Sequence, residues 1–251
     1  LTTPKVVSKG FMTPDMIVGT DLEGRKVRGD REPSSELLMH LAVYQNRPEV
    51  MAVVHAHPPA ATGFAVAGIP LDRAVLAEVV TTLGSIPIVD YETPSTSELA
   101  DAVRKYIKAH DGLLLANHGA LTIAGELFAA YYKMETIEHF ARISLVARLL
   151  GGERMLSREE VNRLQDLRGM YGIASPAPIC TDGDDGRDKT TLGDEKDVTC
   201  QVLQAPALPH DRLVGPPALP PDLAALGKDG EIRLTYGELT ALIEDAVKQL
   251  R

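Results

Sequence analysis

The sequence predicts an α/β domain over residues 1–173, an extended Pro/Gly-rich acidic linker over 174–233 and an amphipathic helix over 234–251. Three observations carry this. Short β-rich runs alternate with segments whose apolar residues recur at helical spacing. Ser, Thr, Pro and Gly stand where such helices should begin and end. After Pro176 the composition turns polar and acidic, then rich in Pro and Ala, and cannot build a packed core.

The elements follow in order. Residues 1–30 read as short strands and turns, with Asp21-Leu22-Glu23-Gly24 as a hairpin-type turn. Pro33 and Ser34 introduce a helix whose Leu37, Leu38, Leu41 and Ala42 share a face, and Pro48 ends it. "AVVHAH" is a short strand stopped by Pro58-Pro59, and the next helix has Pro at its start and Gly68 at its end. "SIPIVDY" is a strand. Ser95 and Glu98 are expected to form a capping box for a helix through His110. "GLLLANHG" is a buried strand followed by "ALTIAG". The longest helix spans 127–150, and Ser157 with Glu160 caps one more, to about Tyr171. At the far end, Thr235 and Glu238 cap a helix with Leu239, Leu242, Ile243 and Leu250 on one face.

Composition narrows the function. Lys and Arg number 26 against 35 Asp and Glu, a formal charge of −9. A general nucleic-acid binder needs a basic face, so that class is disfavoured, while a local cationic pocket is not. No apolar run approaches the roughly 20 residues that span a bilayer, and no signal peptide is evident. Cys180 and Cys200 cannot make a disulfide framework, so a cytoplasmic setting is expected. The chain opens at Leu1 as though inside a strand, which suggests a fragment.

His55-Ala56-His57 is the sharpest chemical signal. Residues i and i+2 of a strand point to one face, so two imidazoles converge as divalent-metal ligands or stand as two satisfied core histidines. Glu36, with Ser34 and Ser35, lies where a helix begins: an anion cup or an ordinary cap. Glu135 and His139 are four apart on the long helix, and either could complete a metal site. Gly119 in Asn117-His118-Gly119 is expected to permit an unusual backbone angle, with His118 structural. The acidic run Asp182, Asp184, Asp185 and Asp188 misses calcium-loop spacing.

Taken together, "PSSELLMHLAVYQNRPEVMAVVHAHPPAATGFAV", "IPIVDYETPSTSELADAV" and "LLLANHGALTIAG" with its long helix resemble the class II aldolase/adducin family. The resemblance implies a three-layer α/β/α sandwich with a mainly antiparallel central sheet, assembled as homotetramers with sites at subunit interfaces. It implies that His55 and His57 hold a catalytic Zn²⁺ or another divalent metal, and that Glu36 is the general acid/base. Ser34 and Ser35 would hold the substrate phosphate, and Tyr91 would reach a neighbouring subunit's site. Three positions depart from the family pattern. Glu135 stands where the third ligand is usually histidine, giving a His₂Glu site with His139 as fallback. Thr3-Pro4-Lys5-Val6 replaces a Thr-Pro-Ser/Thr-Gly phosphate loop, with Lys5 offering its side chain instead. The family's first helix and its Gly-Asn loop would precede residue 1.

The resemblance implies cleavage of a (deoxy)ketose 1-phosphate, such as L-fuculose 1-phosphate, to dihydroxyacetone phosphate and an aldehyde through a metal-stabilised enediolate. Alternatives on the same scaffold are a decarboxylase, dehydratase or epimerase, or a non-catalytic adducin-like protein. The terminal helix is expected either to dock on its own tetramer or to direct the enzyme to a bacterial microcompartment shell.

Overall fold

The computed structural model describes residues 1–171, 173 and 179. Apart from Ile179, the expected linker and terminal helix, with both cysteines and the acidic run, lie outside the described residues. A two-stranded ribbon comes first, β1 (Gly19–Thr20) against β2 (Lys26–Arg28). Its turn is shaped by the Asp21 carboxylate, which accepts from the backbone N–H of Glu23 and Arg25 at 3.1 and 2.8 Å, and by Gly24 at φ +83°.

Four strands make the central sheet: β3 (Ala52–Ala56), β4 (Ile88–Val89), β5 (Gly112–Leu115) and β6 (Gly119–Ala124). Their order is β3-β6-β5-β4. The β3/β6 and β5/β6 pairs are antiparallel and β4/β5 is parallel, so the sheet is mainly antiparallel. Among the described residues five α-helices flank it, α1 (Leu37–Asn46), α2 (Pro59–Ala67), α3 (Ala77–Thr82), α4 (Ser97–Ile107) and α5 (Leu127–Leu149), and a sixth, α6 (Arg158–Met170), packs on α3.

Strand alternation sorts the layers. Leu113, Leu115, Leu121 and Ile123 face one way and pack on Met39 and Val43 of α1 and on Leu99, Val103 and Ile107 of α4. Leu114 and Ala120 face the other way, against Phe64 of α2, Val79 of α3, and Ile137 and Phe140 of α5. Because both faces are covered, β5 and β6 read as continuous apolar runs rather than alternating ones. The result is the three-layer α/β/α sandwich.

Two helix starts show how local chemistry sets the frame. Ser157 and Glu160 form the expected capping box of α6. For α4 the cap is Thr96, whose hydroxyl accepts from Leu99 N, and not Ser95. Ser95 sits at φ +69° and turns its hydroxyl away from the helix, toward Glu36.

One buried charge ties three elements together. Asp111, 2% exposed, accepts from Arg47 Nη2 at 3.1 Å and Lys133 Nζ at 2.6 Å. Arg47 also donates to the Ile107 carbonyl, and Lys133 to the Ile123 carbonyl. The cluster pins the end of α1, the entry to β5 and the second turn of α5. Removing this buried carboxylate leaves two cations without their shared partner, and of the two only Arg47 keeps another carboxylate, Glu49. Asp111→Ala is therefore expected to cost about 3 kcal/mol or more, read as a drop in the urea midpoint with an unchanged slope.

Candidate metal centre

The site begins on β3. His55 Nδ1 lies 2.9 Å from the Ala120 carbonyl, which can only accept, so Nδ1 carries the proton and Nε2 is left with its lone pair free. His57 follows two residues later on the same face, and its Nε2 is 3.2 Å from His55 Nε2. The third imidazole comes from the β5–β6 turn. Asn117 closes that turn at φ +55°, and the Ala56–Ala120 pairing lays it alongside His57. His118 then completes a triangle of rings with centroids 5.0, 4.8 and 4.9 Å apart. One ring nitrogen from each lies within 4.8 Å of the others, the one such group of three His, Cys, Asp or Glu among the described residues.

The donor set fits a divalent cation. Three imidazoles with an open fourth direction suit Zn²⁺, and a ligand imidazole must be unprotonated. Burial pushes His55 down to about 3, against the opposing pull of the Ala120 carbonyl, and burial also lowers His118, against the Glu36 charge. The Nδ1 of His118 is buried with no protein partner. Gly119 permits the arrangement. Its role is close approach, not the unusual backbone angle expected: a Cβ there would stand 2.5 Å from His57 Cδ2 and 2.6 Å from the Ala56 carbonyl oxygen.

Glu36 lies at the N-terminal end of α1. Its Oε1 accepts from Ser95 Oγ at 2.7 Å, while Oε2 is buried without a partner. Ser34 Oγ accepts from Glu36 N at 3.2 Å. A second strip of chain closes on this one: Pro4 bridges Pro33, and Lys5 N donates to the Glu32 carbonyl at 3.1 Å. Lys5, Ser34, Ser35 and Glu36 are thereby gathered at one end of α1. Lys9 Nζ donates to Thr3 Oγ1 beside them. Val6 takes φ +60°, a strained angle for a β-branched residue, in the loop where the family pattern has glycine.

Other predicted residues stand elsewhere. Glu135 is not among the clustered ligands; its Oε1 accepts from Tyr131 Oη at 2.6 Å. His139 lines the same groove as Glu135. Tyr91 is exposed on the segment that brings Ser95 to Glu36. His118, expected to be structural, joins the imidazole cluster, and His40 was not singled out from the sequence. The signal for His118 was an imidazole at the end of a strand, but its pairing partner cannot be read from spacing. His40 was signalled by its place one turn after Glu36 on α1.

The family model described as Class II Aldolase and Adducin N-terminal domain matches residues 1–145. An L-fuculose phosphate aldolase of Methanococcus maripaludis is 36% identical over 144 residues, 57% of this chain and 77% of the relative. A 3-oxo-tetronate 4-phosphate decarboxylase of Pectobacterium atrosepticum is 31% identical over 150 residues, 58% of this chain and 68% of the relative. Among solved structures, an L-fuculose 1-phosphate aldolase superposes with a TM-score of 0.62 at 34% identity, covering 66% of this chain and 77% of that one.

Two predictions follow from the geometry. Gly119→Ala must displace the His57 ring or part β3 from β6, so it should weaken Zn²⁺ binding at least about tenfold by calorimetric titration. The second concerns acid. Burial pushes His40 down to about 4; the Glu36 charge opposes the fall and the Lys9 charge adds to it. Unfolded, the same imidazole takes a proton near 6.5. Between those values the unfolded chain binds a proton that the folded chain refuses, so stability falls as pH drops. The loss from this group is at most about 1.4 kcal/mol per pH unit. Denaturant midpoints of the metal-free protein should decline from pH 7 to 5, less steeply in His40→Gln.

Proposed function

The chain belongs to the class II aldolase and adducin family, and we propose that it is a metal-dependent aldolase that cleaves a ketose 1-phosphate to dihydroxyacetone phosphate and an aldehyde. The observation that carries this is the imidazole triangle together with Glu36, whose charge acts on His118 and whose second oxygen is buried and unpartnered. His55, His57 and His118 would hold a divalent cation, which when bound supplies a Lewis acid at the substrate's carbonyl oxygen.

The chain's own groups supply the rest. Ser34, Ser35 and Lys5 bind the phosphate at the head of α1, where free N–H donors and the helix dipole favour an anion. Ser95 fixes Glu36 through Oε1 and leaves Oε2 to move a proton. As the C3–C4 bond breaks, the C4 hydroxyl gives up its proton and C3 gains one; Glu36 Oε2 carries the proton to C3. Tyr91 acts from its exposed segment on the site of a neighbouring copy. The exposed Leu145, Val146, Leu149 and Leu150 near the end of α5 support assembly with further copies. No helix among the described residues is long and apolar enough to cross a membrane. The proposal keeps the expected cytoplasmic tetramer, with a shell-directing tail beyond the described residues.

A second reading is favoured by the decarboxylase relative. Loss of carbon dioxide from a phosphorylated 3-oxo acid needs the same polarised carbonyl and phosphate cup.

Zinc-loaded protein incubated with L-fuculose 1-phosphate and related deoxyketose 1-phosphates should release dihydroxyacetone phosphate, detected by a coupled reductase. Glu36→Gln should keep metal and fold but lose turnover by about 10²–10⁴-fold. Release of carbon dioxide from a phosphorylated 3-oxo acid, with no triose phosphate from any ketose, would replace the aldolase by the decarboxylase.

A further inference from the structure

A groove of about 360 Å³ runs along α5, lined by Pro58, Tyr131, Met134, Glu135, Glu138, His139 and Arg142. One of its lining residues, Pro58, directly follows His57 in the chain. Its polar groups divide into two kinds. Glu138 is committed: its carboxylate accepts from Ala60 N and Ala61 N, each at 3.0 Å, and pairs with Arg142 Nε at 2.8 Å. It thereby fixes the first turn of α2 as the groove's wall.

Tyr131, Glu135 and His139 are not used in that way. Tyr131 spends its proton on Glu135 Oε1 at 2.6 Å, so the phenol oxygen faces a ligand as an acceptor. A carboxylate has about four lone-pair sites, and this hydrogen bond occupies one. His139 lies one helical turn beyond Glu135 and adds a ring nitrogen. Acceptors of this kind recognise hydroxyl groups. Two carboxylates in the lining disfavour a second anion, and Met134 gives the carbon chain an apolar surface.

We propose that this groove is the subsite for the hydroxyl groups of the aldehyde portion of the substrate, with Tyr131, Glu135 and His139 setting the preference for a hydroxylated over a deoxy aldehyde. The inference rests on the aldolase reading. Its test runs the reaction in the direction of synthesis, with dihydroxyacetone phosphate and either 2-hydroxypropanal or propanal as acceptor. These differ by one hydroxyl. The zinc-loaded wild type should favour 2-hydroxypropanal in kcat/KM. Tyr131→Phe and His139→Leu, both at exposed positions, should each lower that ratio by about tenfold. The KM for dihydroxyacetone phosphate should stay unchanged. An unchanged ratio in both variants, or equal losses for both acceptors, overturns the subsite while leaving the aldolase intact. A wild type that condenses neither acceptor overturns the aldolase reading and the subsite with it.

Discussion

The register between β3 and β6 is the constraint on which the site depends. Ala56 pairs with Ala120, and that one pairing sets His55 Nδ1 against the Ala120 carbonyl and brings the Asn117–Gly119 turn beside His57. A slip of one residue would send His55, and with it His57 just past the strand end, to the opposite face. The close approach of Gly119 to the His57 ring leaves no room for a side chain at that point. The layers on either side hold the register in place, with Leu121 and Ile123 locked against α1 and α4 and Ala120 against α2 and α5.

The same burial that stabilises the sheet prepares the chemistry. Desolvation lowers both His55 and His118, which favours the unprotonated ring that a metal ligand requires. It also leaves the Nδ1 of His118 and the Oε2 of Glu36 without protein partners. Unpaired buried polar atoms cost stability, commonly about 1–3 kcal/mol each. Here they sit where a cation and a substrate would meet them, which turns a structural cost into binding capacity. The Asp111 cluster, by contrast, is paired within itself: Asp111 holds Arg47 and Lys133, and Arg47 also meets Glu49.

Much of this was legible in the chain itself. Helix positions followed from spacing and from Pro, Gly and Ser punctuation, as at Pro59, Gly68 and Ser157. The His55/His57 pair was visible because the two stand two residues apart at the end of one strand, and Lys5, Ser34, Ser35 and Glu36 emerge at one end of α1. What was hidden was long-range. His118 reaches the site only through the β3–β6 register, which spacing along one chain does not encode. Glu135 invited assignment as a ligand from its place on α5, yet its carboxylate finds a nearer partner in Tyr131, one turn earlier. Ser95 looked like a helix cap. A left-handed backbone angle frees it from that role, and its neighbour Thr96 caps α4 instead.

Three imidazoles, two at the C-terminal end of β3 and one from the β5–β6 turn, are brought together by one register as a candidate metal centre. X-ray absorption spectroscopy at the zinc edge, on protein loaded with one equivalent of Zn²⁺, addresses it most directly. Stoichiometric binding is expected, with outer-shell scattering from three histidine rings and coordinating nitrogens at about 2.0 Å. A shell with two imidazoles and a carboxylate in place of the third would contradict it, as would the absence of stoichiometric binding.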